Sequence, residues 1–351
     1  MAGSVKMADV AKVAGVSPMT VSRAFRADSS VGKKTRDRIL KIAEDMGYVF
    51  DARASNLRSQ RSGFVALTVP TINNPNFAET VNALAREIAG AGLQTLLGYD
   101  LYDTQEEERR IEQLLRRRPE AIVVTGGTHT ERARRMMKAA DVPVIETWDM
   151  PGKPIQHVVG FSNAAAMELL VDHIVDSGRR RIAFIGGDFN DDTRGADRRR
   201  GFVSAMQRHG LDAGRLFPIG GPSSVGTGAA AMQRILDEAP DTEAVIGVFD
   251  HAALGALGEC QRSGIGVPDD MAIAGFGATE YAELAWPSLT TIDPHCSEIG
   301  RRAGALILEL LENPDAANGP VRIEIKPELR IGQSTGTGPL TPSRRVPPLQ
   351  R

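Results

Sequence analysis

The chain has 351 residues, of which 42% are hydrophobic and 25% are charged, and its formal net charge is −2. This length exceeds what one hydrophobic core ordinarily organises, so we expect two or three domains. No apolar segment follows Met1 and no apolar run reaches the roughly 18 residues of a membrane span, which favours a cytoplasmic protein. Cys260 and Cys296 lack metal-binding or redox spacing and are expected to be buried thiols.

Positive charge is concentrated at the start of the chain. Residues 1–60 contain 11 Lys and Arg against 6 Asp and Glu, a net charge of +5, so the rest of the chain carries −7. A small basic segment joined to a large acidic body favours local contact with phosphates without general adhesion to polyanions.

Residues 7–50 have the pattern of three short helices. Gly15 supplies a turn after the first helix, and Ser17-Pro18 is a good start for the second, since serine caps a helix and proline suits its first position. The third helix is indicated by apolar residues at i, i+3, i+4 and i+7, namely Ile39, Ile42, Ala43 and Met46. Such a unit is too small for a catalytic cleft. It either places one helix in the major groove of DNA or is a small helical bundle without a partner.

From residue 63 onward, short apolar segments alternate with amphipathic helices. Strands are expected at 64–69, 95–99, 121–125, 144–146 and 158–161, and after a restart of the pattern at 181–186, 216–219, 244–249 and 271–276. Helices are expected at 78–91, 106–117 and 131–140. This alternation predicts parallel sheets with helices on both faces, arranged as two similar halves with a ligand cleft between them. Residues 336–351 are rich in Pro, Gly and Thr and are expected to form a mobile tail.

Three motifs resemble the LacI family of bacterial transcription regulators: DVAKVAGVSPMTVSRAF in the basic segment, VGFSNAAAMELLVDHIVDSGRRRIAFIGG in the middle and PSLTTIDPHCSEIGRRAGALIL near the end. The segments around TGGTHT and ETWD are similar to the subgroup that includes gluconate-operon repressors. The resemblance implies a homodimer whose two heads read the halves of a near-palindromic operator in double-stranded DNA. It places the protein with the nucleoid.

The resemblance also implies the fold: an all-α helix-turn-helix head and a periplasmic-binding-protein-like α/β body of two doubly wound parallel-sheet subdomains. The head would cover residues 1–50, a hinge helix and linker 51–61, and the effector-binding and dimerisation domain 62–335. Within this domain the N-subdomain would cover about 62–159 and 291–321, and the C-subdomain about 160–290 and 322–335.

The family's base-reading positions correspond to Pro18, Met19 and Arg23. An arginine can donate two hydrogen bonds to guanine, whereas Met19 offers apolar contact with a thymine methyl or packs within the head. Expected phosphate contacts are Thr20, Ser22, Lys33, Lys34, Thr35 and Arg36.

Residues 52–59 match the family's hinge helix. Leu57 is at the position that inserts into the minor groove, Ala54 permits close packing of two such helices, and Arg53 lies near flanking phosphates. A helix of about eight residues is marginal alone in water, so its formation would depend on the dimer and on DNA. Without the resemblance, Leu57 would be interpreted as an ordinary buried linker residue.

Arg198 aligns with the arginine that anchors the effector in this family. Relatives that bind neutral sugars place Asp where this chain has Gly277 and Asn where it has Phe249, before Asp250. The loss of a carboxylate near an arginine favours an anionic effector, a sugar acid such as gluconate or a related aldonate. Residues expected to line the opposite lobe, or else to pack in the core, are Asn76, Phe77, His129 and Trp148.

The predicted function is therefore allosteric repression of carbohydrate or sugar-acid catabolism genes, relieved by the effector. The alternatives are a ligand that acts as corepressor, a protein partner in place of the small molecule, and an enzyme. The glycine-rich segments at 125–127 and 186–188 match no nucleotide-binding fingerprint, and no catalytic or metal-ligand set stands out, which argues against the enzyme. No cofactor and no membrane partner are expected.

Overall fold

The computed structural model describes residues 5–25, 30–50, 62–188, 192–313 and 319–336. The chain divides into two compact units, with the division between Ser62 and Gly63. The expected hinge residues Arg53, Ala54 and Leu57 and the expected tail from 337 onward lie outside the described residues. Within the described ranges, no helix is long and apolar enough to cross a membrane.

The head consists of three helices, α1 (Met7–Ala14), α2 (Pro18–Ala24) and α3 (Lys33–Asp45). Gly15 has a φ of 62°, a left-handed conformation that glycine adopts readily, and it turns the chain between α1 and α2. The three helices enclose a small core of Val10, Ala11, Ala14, Val21, Ala24, Ile39 and Ala43. The prediction of a helix-turn-helix unit is confirmed, and Val21 and Ala24 of α2 face inward.

The first lobe of the body alternates strands and helices as far as its fourth strand, and the fifth strand follows the fourth without a helix between them. These elements are β1 (Phe64–Val69), α4 (Pro75–Ala89), β2 (Gln94–Tyr99), α5 (Thr104–Leu115), β3 (Ala121–Thr125), α6 (Glu131–Lys138), β4 (Val144–Thr147) and β5 (His157–Gly160). With β11 (Arg322–Glu324) they form a six-stranded sheet in the order β11-β5-β4-β3-β1-β2, and every pairing is parallel.

The second lobe repeats the alternation. It contains α7 (Asn163–Asp176), β6 (Ile182–Ile185), α8 (Thr193–Arg208), β7 (Leu216–Phe217), α9 (Val225–Glu238), β8 (Ala244–Gly247), α10 (Asp250–Arg262), β9 (Ala272–Phe276), α11 (Glu280–Leu284), β10 (Thr290–Asp293) and β12 (Glu328–Arg330). The strand order is β12-β10-β9-β8-β6-β7, with only β12 antiparallel among the described pairings. The predicted pair of doubly wound sheets is confirmed.

The chain passes between the lobes slightly later than expected. Strand β10 pairs with β9 in the second sheet, so the second passage follows residue 293 and not 290. The next helix, α12 (Cys296–Glu312), packs on α4 in the first lobe, where Thr80 Oγ1 donates to the Cys296 carbonyl over 3.1 Å. Strand β11 then pairs with β5 in the first sheet, so the return follows residue 324 and not 321. Inter-strand hydrogen bonding decides both boundaries.

The main core spans both lobes. One continuous cluster includes Leu67 and Trp148 from the first lobe together with Phe184 and Phe276 from the second. Strand β7 is shorter than the predicted 216–219 because the Asp188 carboxylate, not a neighbouring strand, accepts from the amide of Ile219 over 3.0 Å. Both cysteines are buried and unpaired, as expected.

Candidate DNA-reading face and effector cleft

The second helix of the head is held at its start by its own cap. Ser17 Oγ accepts from the Thr20 amide over 3.2 Å and pairs with Thr20 Oγ1 over 2.9 Å, and Pro18 occupies the first helical turn. Because Val21 and Ala24 are buried, the helix exposes the side that carries Pro18, Met19 and Arg23. Met19 is 50% exposed, so it does not pack into the head core.

The start of α3 forms a second exposed group of donors. Lys33 and Lys34 are exposed, Thr35 is half-buried, and the first turn carries no acidic residue. A helix N-terminus with two lysines attracts phosphate oxygens. Arg36 has a different use: its Nε donates to the Ala24 carbonyl over 2.9 Å and ties α3 to the end of α2. The expectation that Arg36 is free for phosphate is therefore wrong for this N–H.

Arg198 lies in the cleft between the lobes and is completely buried. Its Nε donates to Asn163 Oδ1 over 2.9 Å and its Nη1 donates to the Val248 carbonyl over 3.1 Å. Its guanidinium carbon lies 3.6 Å from the centre of the Phe276 ring and 4.4 Å from that of Phe249, in cation–π contact with both. Burial lowers the pKa of Arg198 to about 10, which leaves it protonated at neutral pH.

Trp148 forms the opposite wall of the cleft. It follows β4 with a φ of 68°, a strained conformation for a bulky residue, and is held there by Asn163 Nδ2, which donates to its carbonyl over 2.9 Å. Phe77 packs edge-to-face on its ring with 4.9 Å between centroids. The indole Nε1 is buried and has no hydrogen-bond partner among the described residues. Asn163 thus links Trp148 of the first lobe to Arg198 of the second.

Asp250 is buried at the start of α10 and its carboxylate is fully engaged. Oδ2 accepts from the amide and hydroxyl of Thr279, and Oδ1 accepts from Thr291 Oγ1 over 2.6 Å. Burial raises the pKa of Asp250 even so. Gly277 has a φ of 137°, and a Cβ there would lie 2.5 Å from Asn76 Nδ2. The amide of Asn76 therefore occupies the space beside Gly277.

The expected effector residues divide into two groups. Asn76, Phe77, Trp148, Arg198, Phe249 and Asp250 lie together where the two lobes meet. His129 has its contacts within the first lobe: its Nδ1 lies 2.9 Å from Glu107 Oε2 and its Nε2 lies 3.6 Å from Glu146 Oε1. Burial lowers the pKa of His129, but the two carboxylates outweigh it and raise the pKa to about 9.

Family models match two parts of the chain. One described as "Bacterial regulatory proteins, lacI family" covers residues 6–51, and one described as "Periplasmic binding protein-like domain" covers residues 171–335. The chain is 34% identical to the HTH-type transcriptional regulator GntR of Pseudomonas aeruginosa over 328 residues, which cover 93% of this chain and 94% of that protein. The chain belongs to the LacI family of transcriptional regulators.

Two further relatives agree with this assignment. The HTH-type transcriptional regulator IdnR of Escherichia coli is 31% identical, with 89% of this chain and 93% of that protein covered. A solved LacI-family regulator from Silicibacter pomeroyi superimposes with a TM-score of 0.88 at 32% identity, covering 94% of this chain and 99% of that one. This LacI-family chain is accordingly a DNA-binding regulator and not an enzyme.

The cleft of this LacI-family regulator has a mouth whose residues sequence reasoning missed. It is a depression open to solvent, and among its lining residues are Asp100, Tyr102, Thr125, Thr193 and Arg194. Arg194 is 5% exposed and its Nη1 donates to the Thr125 carbonyl over 3.1 Å. In the sequence, the position of Arg194 one helical turn before Arg198 could have indicated that it faces the same side of the helix.

Asp100 follows β2 at the same mouth. Burial, and after it the charge of Glu107, raise the pKa of Asp100 to about 7. Its Oδ1 accepts from the Tyr102 amide over 2.9 Å. The sequence signal for both residues was their place directly after a strand, the end at which ligands of α/β sheets bind.

Proposed function

We propose that this regulator is a homodimeric repressor of carbohydrate or sugar-acid catabolism genes that a sugar acid, such as gluconate or a related aldonate, releases from its operator. The observation that carries the proposal is a buried arginine, Arg194, at an opening whose other lining residues are mostly hydroxyl-bearing or acidic, with a second buried arginine, Arg198, one helical turn further along α8. The resemblance of the body to gluconate-operon repressors supports the same class of ligand.

A sugar acid suits each part of this lining. Arg194 is buried and its ion pair with Asp192, at 3.9 Å, is too long for a hydrogen bond, so a carboxylate on the ligand would supply the close charge-assisted contact that this guanidinium lacks. Asp100 and the threonines at positions 125, 128 and 193 are acceptors or donors for hydroxyl groups. The aromatic rings of Phe77, Trp148 and Phe249 offer apolar faces to the carbon chain.

For DNA, we assign base reading to α2 and phosphate contact to the start of α3. Arg23 is the residue on the exposed side of α2 that can read guanine, while Pro18 and Met19 supply apolar surface. Thr20 and Ser22 are half-buried beside them, and with Lys33, Lys34 and Thr35 they would set register on the phosphate backbone. Insertion of Leu57 into the minor groove, with Arg53 and Ala54 beside it, remains part of this proposal.

The homodimer would use apolar surface that the body exposes on both lobes. Leu97, Tyr99 and Leu101 lie in or just after the edge strand β2 and are 39%, 47% and 61% exposed. Leu284 and Trp286, at the end of α11 and just beyond it, are 74% and 76% exposed. A second copy of this chain is the occupant that a near-palindromic operator requires.

The proposed mechanism of release from the operator depends on the three places where the chain passes from one lobe to the other. Because the chain passes between them three times, a ligand that contacts both lobes favours one relative orientation of the lobes, and the cytoplasmic repressor would lose operator affinity in that orientation. A coupling free energy of about 1–3 kcal/mol suffices for regulation.

The test begins with duplexes selected from a random pool by the purified full-length protein. Affinity for the selected operator is measured at fixed salt while gluconate, a ketogluconate or a neutral hexose is added, and calorimetry measures ligand binding directly. We expect gluconate or a ketogluconate to bind and to weaken operator binding. Stronger operator binding would indicate a corepressor instead. Binding of neutral hexoses alone, or of no ligand, would refute the sugar-acid effector.

A further inference from the structure

Arg194 has an unused hydrogen-bonding edge at the mouth of the cleft. Its Nε is buried and has no hydrogen-bond partner among the described residues, and its Nη2 lies 3.9 Å from Asp192 Oδ1, beyond hydrogen-bond distance. Its Nη1 is committed to the Thr125 carbonyl. The Nε–Nη2 side of a guanidinium is one of the edges that binds a carboxylate through two parallel hydrogen bonds. An acceptor of that geometry would satisfy the buried donor.

The neighbouring groups hold this edge in place. Asp192 caps α8, since its Oδ1 accepts from the Gly195 amide over 3.1 Å, and in this position it forms an ion pair with Arg194 without reaching hydrogen-bond distance. The glycine at position 126, with a φ of 98°, leaves room for the guanidinium, because a Cβ there would lie 2.5 Å from Arg194 Nη1. The Arg194 guanidinium carbon lies 5.8 Å from the centre of the Phe77 ring. A carboxylate on this edge would lie beside the aromatic wall.

Arg198 differs from Arg194 in the use of its Nε edge. Its Nε, which an Nε–Nη2 pairing would need, already donates to Asn163, and Phe249 and Phe276 contact its guanidinium group. Through Asn163 it is also linked to the backbone of Trp148. These contacts give Arg198 the role of assembling the cleft walls.

We propose that the Nε–Nη2 edge of Arg194 binds the carboxylate of the effector and selects acids over neutral ligands, while Arg198 positions the aromatic walls. This inference rests on the sugar-acid effector proposed above and names the residue that recognises the acid. The hydroxyl groups of the same ligand would face Thr125, Thr193 and Asp100, which line the mouth with Arg194.

The test compares gluconate with gluconamide, which has the same hydroxyl groups but no charge, by calorimetry on the full-length protein. We expect the wild type to bind gluconate at least about tenfold more tightly than gluconamide, since a charge-assisted bidentate contact is lost in the amide. Arg194→Gln should remove this preference by weakening gluconate binding about tenfold or more, with gluconamide binding changed by less than about threefold.

The matched control is Arg200→Gln, the same substitution on the same helix at an exposed arginine paired with Asp197. It should retain the wild-type preference. Arg194→Lys keeps the charge and most of the volume, and it should retain a reduced preference, which provides the measurement if the glutamine variant does not fold.

The outcomes separate this inference from the proposed function. If the wild type prefers gluconate and folded Arg194→Gln keeps that preference in full, the assignment to Arg194 is overturned while the sugar-acid effector stands. If the wild type binds gluconamide as tightly as gluconate, or binds neither, the proposed effector fails and the inference fails with it.

Discussion

Replacing His129 with glutamine tests whether this residue stabilises the first lobe or contacts the effector. His129 is buried between Glu107 and Glu146, which are themselves 5% and 0% exposed. Glutamine preserves a hydrogen-bonding side chain but removes the positive charge. The variant therefore leaves two buried carboxylates without the cation that lies between them.

The expected loss of folding free energy follows from the pKa of His129, which is about 9 in the folded protein against 6.5 for an unperturbed histidine. A difference of about 2.5 pH units corresponds to about 3 kcal/mol of folding free energy. Because the folded-state pKa is raised, this stabilisation is fully present below about pH 6.5. It is lost progressively as the pH rises through about 9.

The assay is urea unfolding of the full-length protein at pH 6 and pH 10, with tryptophan fluorescence as the signal. Both tryptophans, Trp148 and Trp286, lie in the body, so the signal reports on the unit that contains His129. At pH 6 we expect His129→Gln to be less stable than the wild type by about 3 kcal/mol, and at pH 10 the difference should largely disappear.

His173→Gln is the matched control. Burial lowers the pKa of His173, and its Nε2 pairs with Thr335 Oγ1 over 3.0 Å, so its replacement should not reduce stability more at pH 6 than at pH 10. A His129 variant as stable as the wild type at pH 6, or a loss of stability that does not change with pH, would refute the reasoning. Unchanged stability together with lost gluconate binding would restore His129 to the effector site.

Four further predictions concern the DNA-reading face, the cleft and the dimer. Arg23→Ala should cost about 1–3 kcal/mol of affinity for the selected operator and much less for unrelated DNA, as fluorescence anisotropy at fixed salt would measure. Replacing both Lys33 and Lys34 with Ala should reduce the salt dependence of operator binding by about 2 in the log–log slope. Gluconate affinity should be about tenfold lower at pH 8 than at pH 6, because Asp100, whose pKa is about 7, then adds a negative charge beside Arg194, and calorimetry of Asp100→Asn should show no such decrease. Trp286→Ser should shift sedimentation toward the monomer, since it removes a large exposed ring from the proposed interface.

Each of these four predictions has an outcome that would contradict it. Equal losses on operator and unrelated DNA would show that Arg23 contacts phosphate and not a base. An unchanged salt slope would remove the two lysines from the phosphate-contact set. The same pH dependence in Asp100→Asn would assign the titration to another group. A monomeric wild type, or an unchanged dimer in Trp286→Ser, would contradict the proposed interface.

Local patterns in the sequence predicted most elements because each depends on neighbouring residues. Strands β1 and β3 cover the predicted 64–69 and 121–125, since a short run of apolar residues is buried wherever the strand pairs. Helix α2 begins after Ser17 as expected, because its cap bonds to an amide three residues away. The resemblance to the family singled out Arg198, and its role in effector binding stays a prediction.

The errors concern pairings between distant residues. The approximate lobe boundaries at 290 and 321 were placed three residues early because the partners of β10 and β11, which are β9 and β5, are recognisable only by hydrogen bonding in the folded chain. The ion pair of His129 with Glu107, which lies 22 residues earlier on α5, was likewise not foreseen, and a role of His129 in effector binding stays a prediction. No periodicity in the sequence reports such a contact.

The sequence by itself determined the class of protein, the helix-turn-helix head and the two-lobed α/β body, because capping, burial and β/α alternation are properties of neighbouring residues. Only the tertiary structure distinguished the two arginines of α8. Arg194 and Arg198 are one helical turn apart. The Nε of Arg198 donates to Asn163, and two aromatic rings contact its guanidinium group, whereas the Nε of Arg194 has no hydrogen-bond partner among the described residues. The difference arises from packing between α8 and other elements of the second lobe, which the order of residues along the chain does not specify.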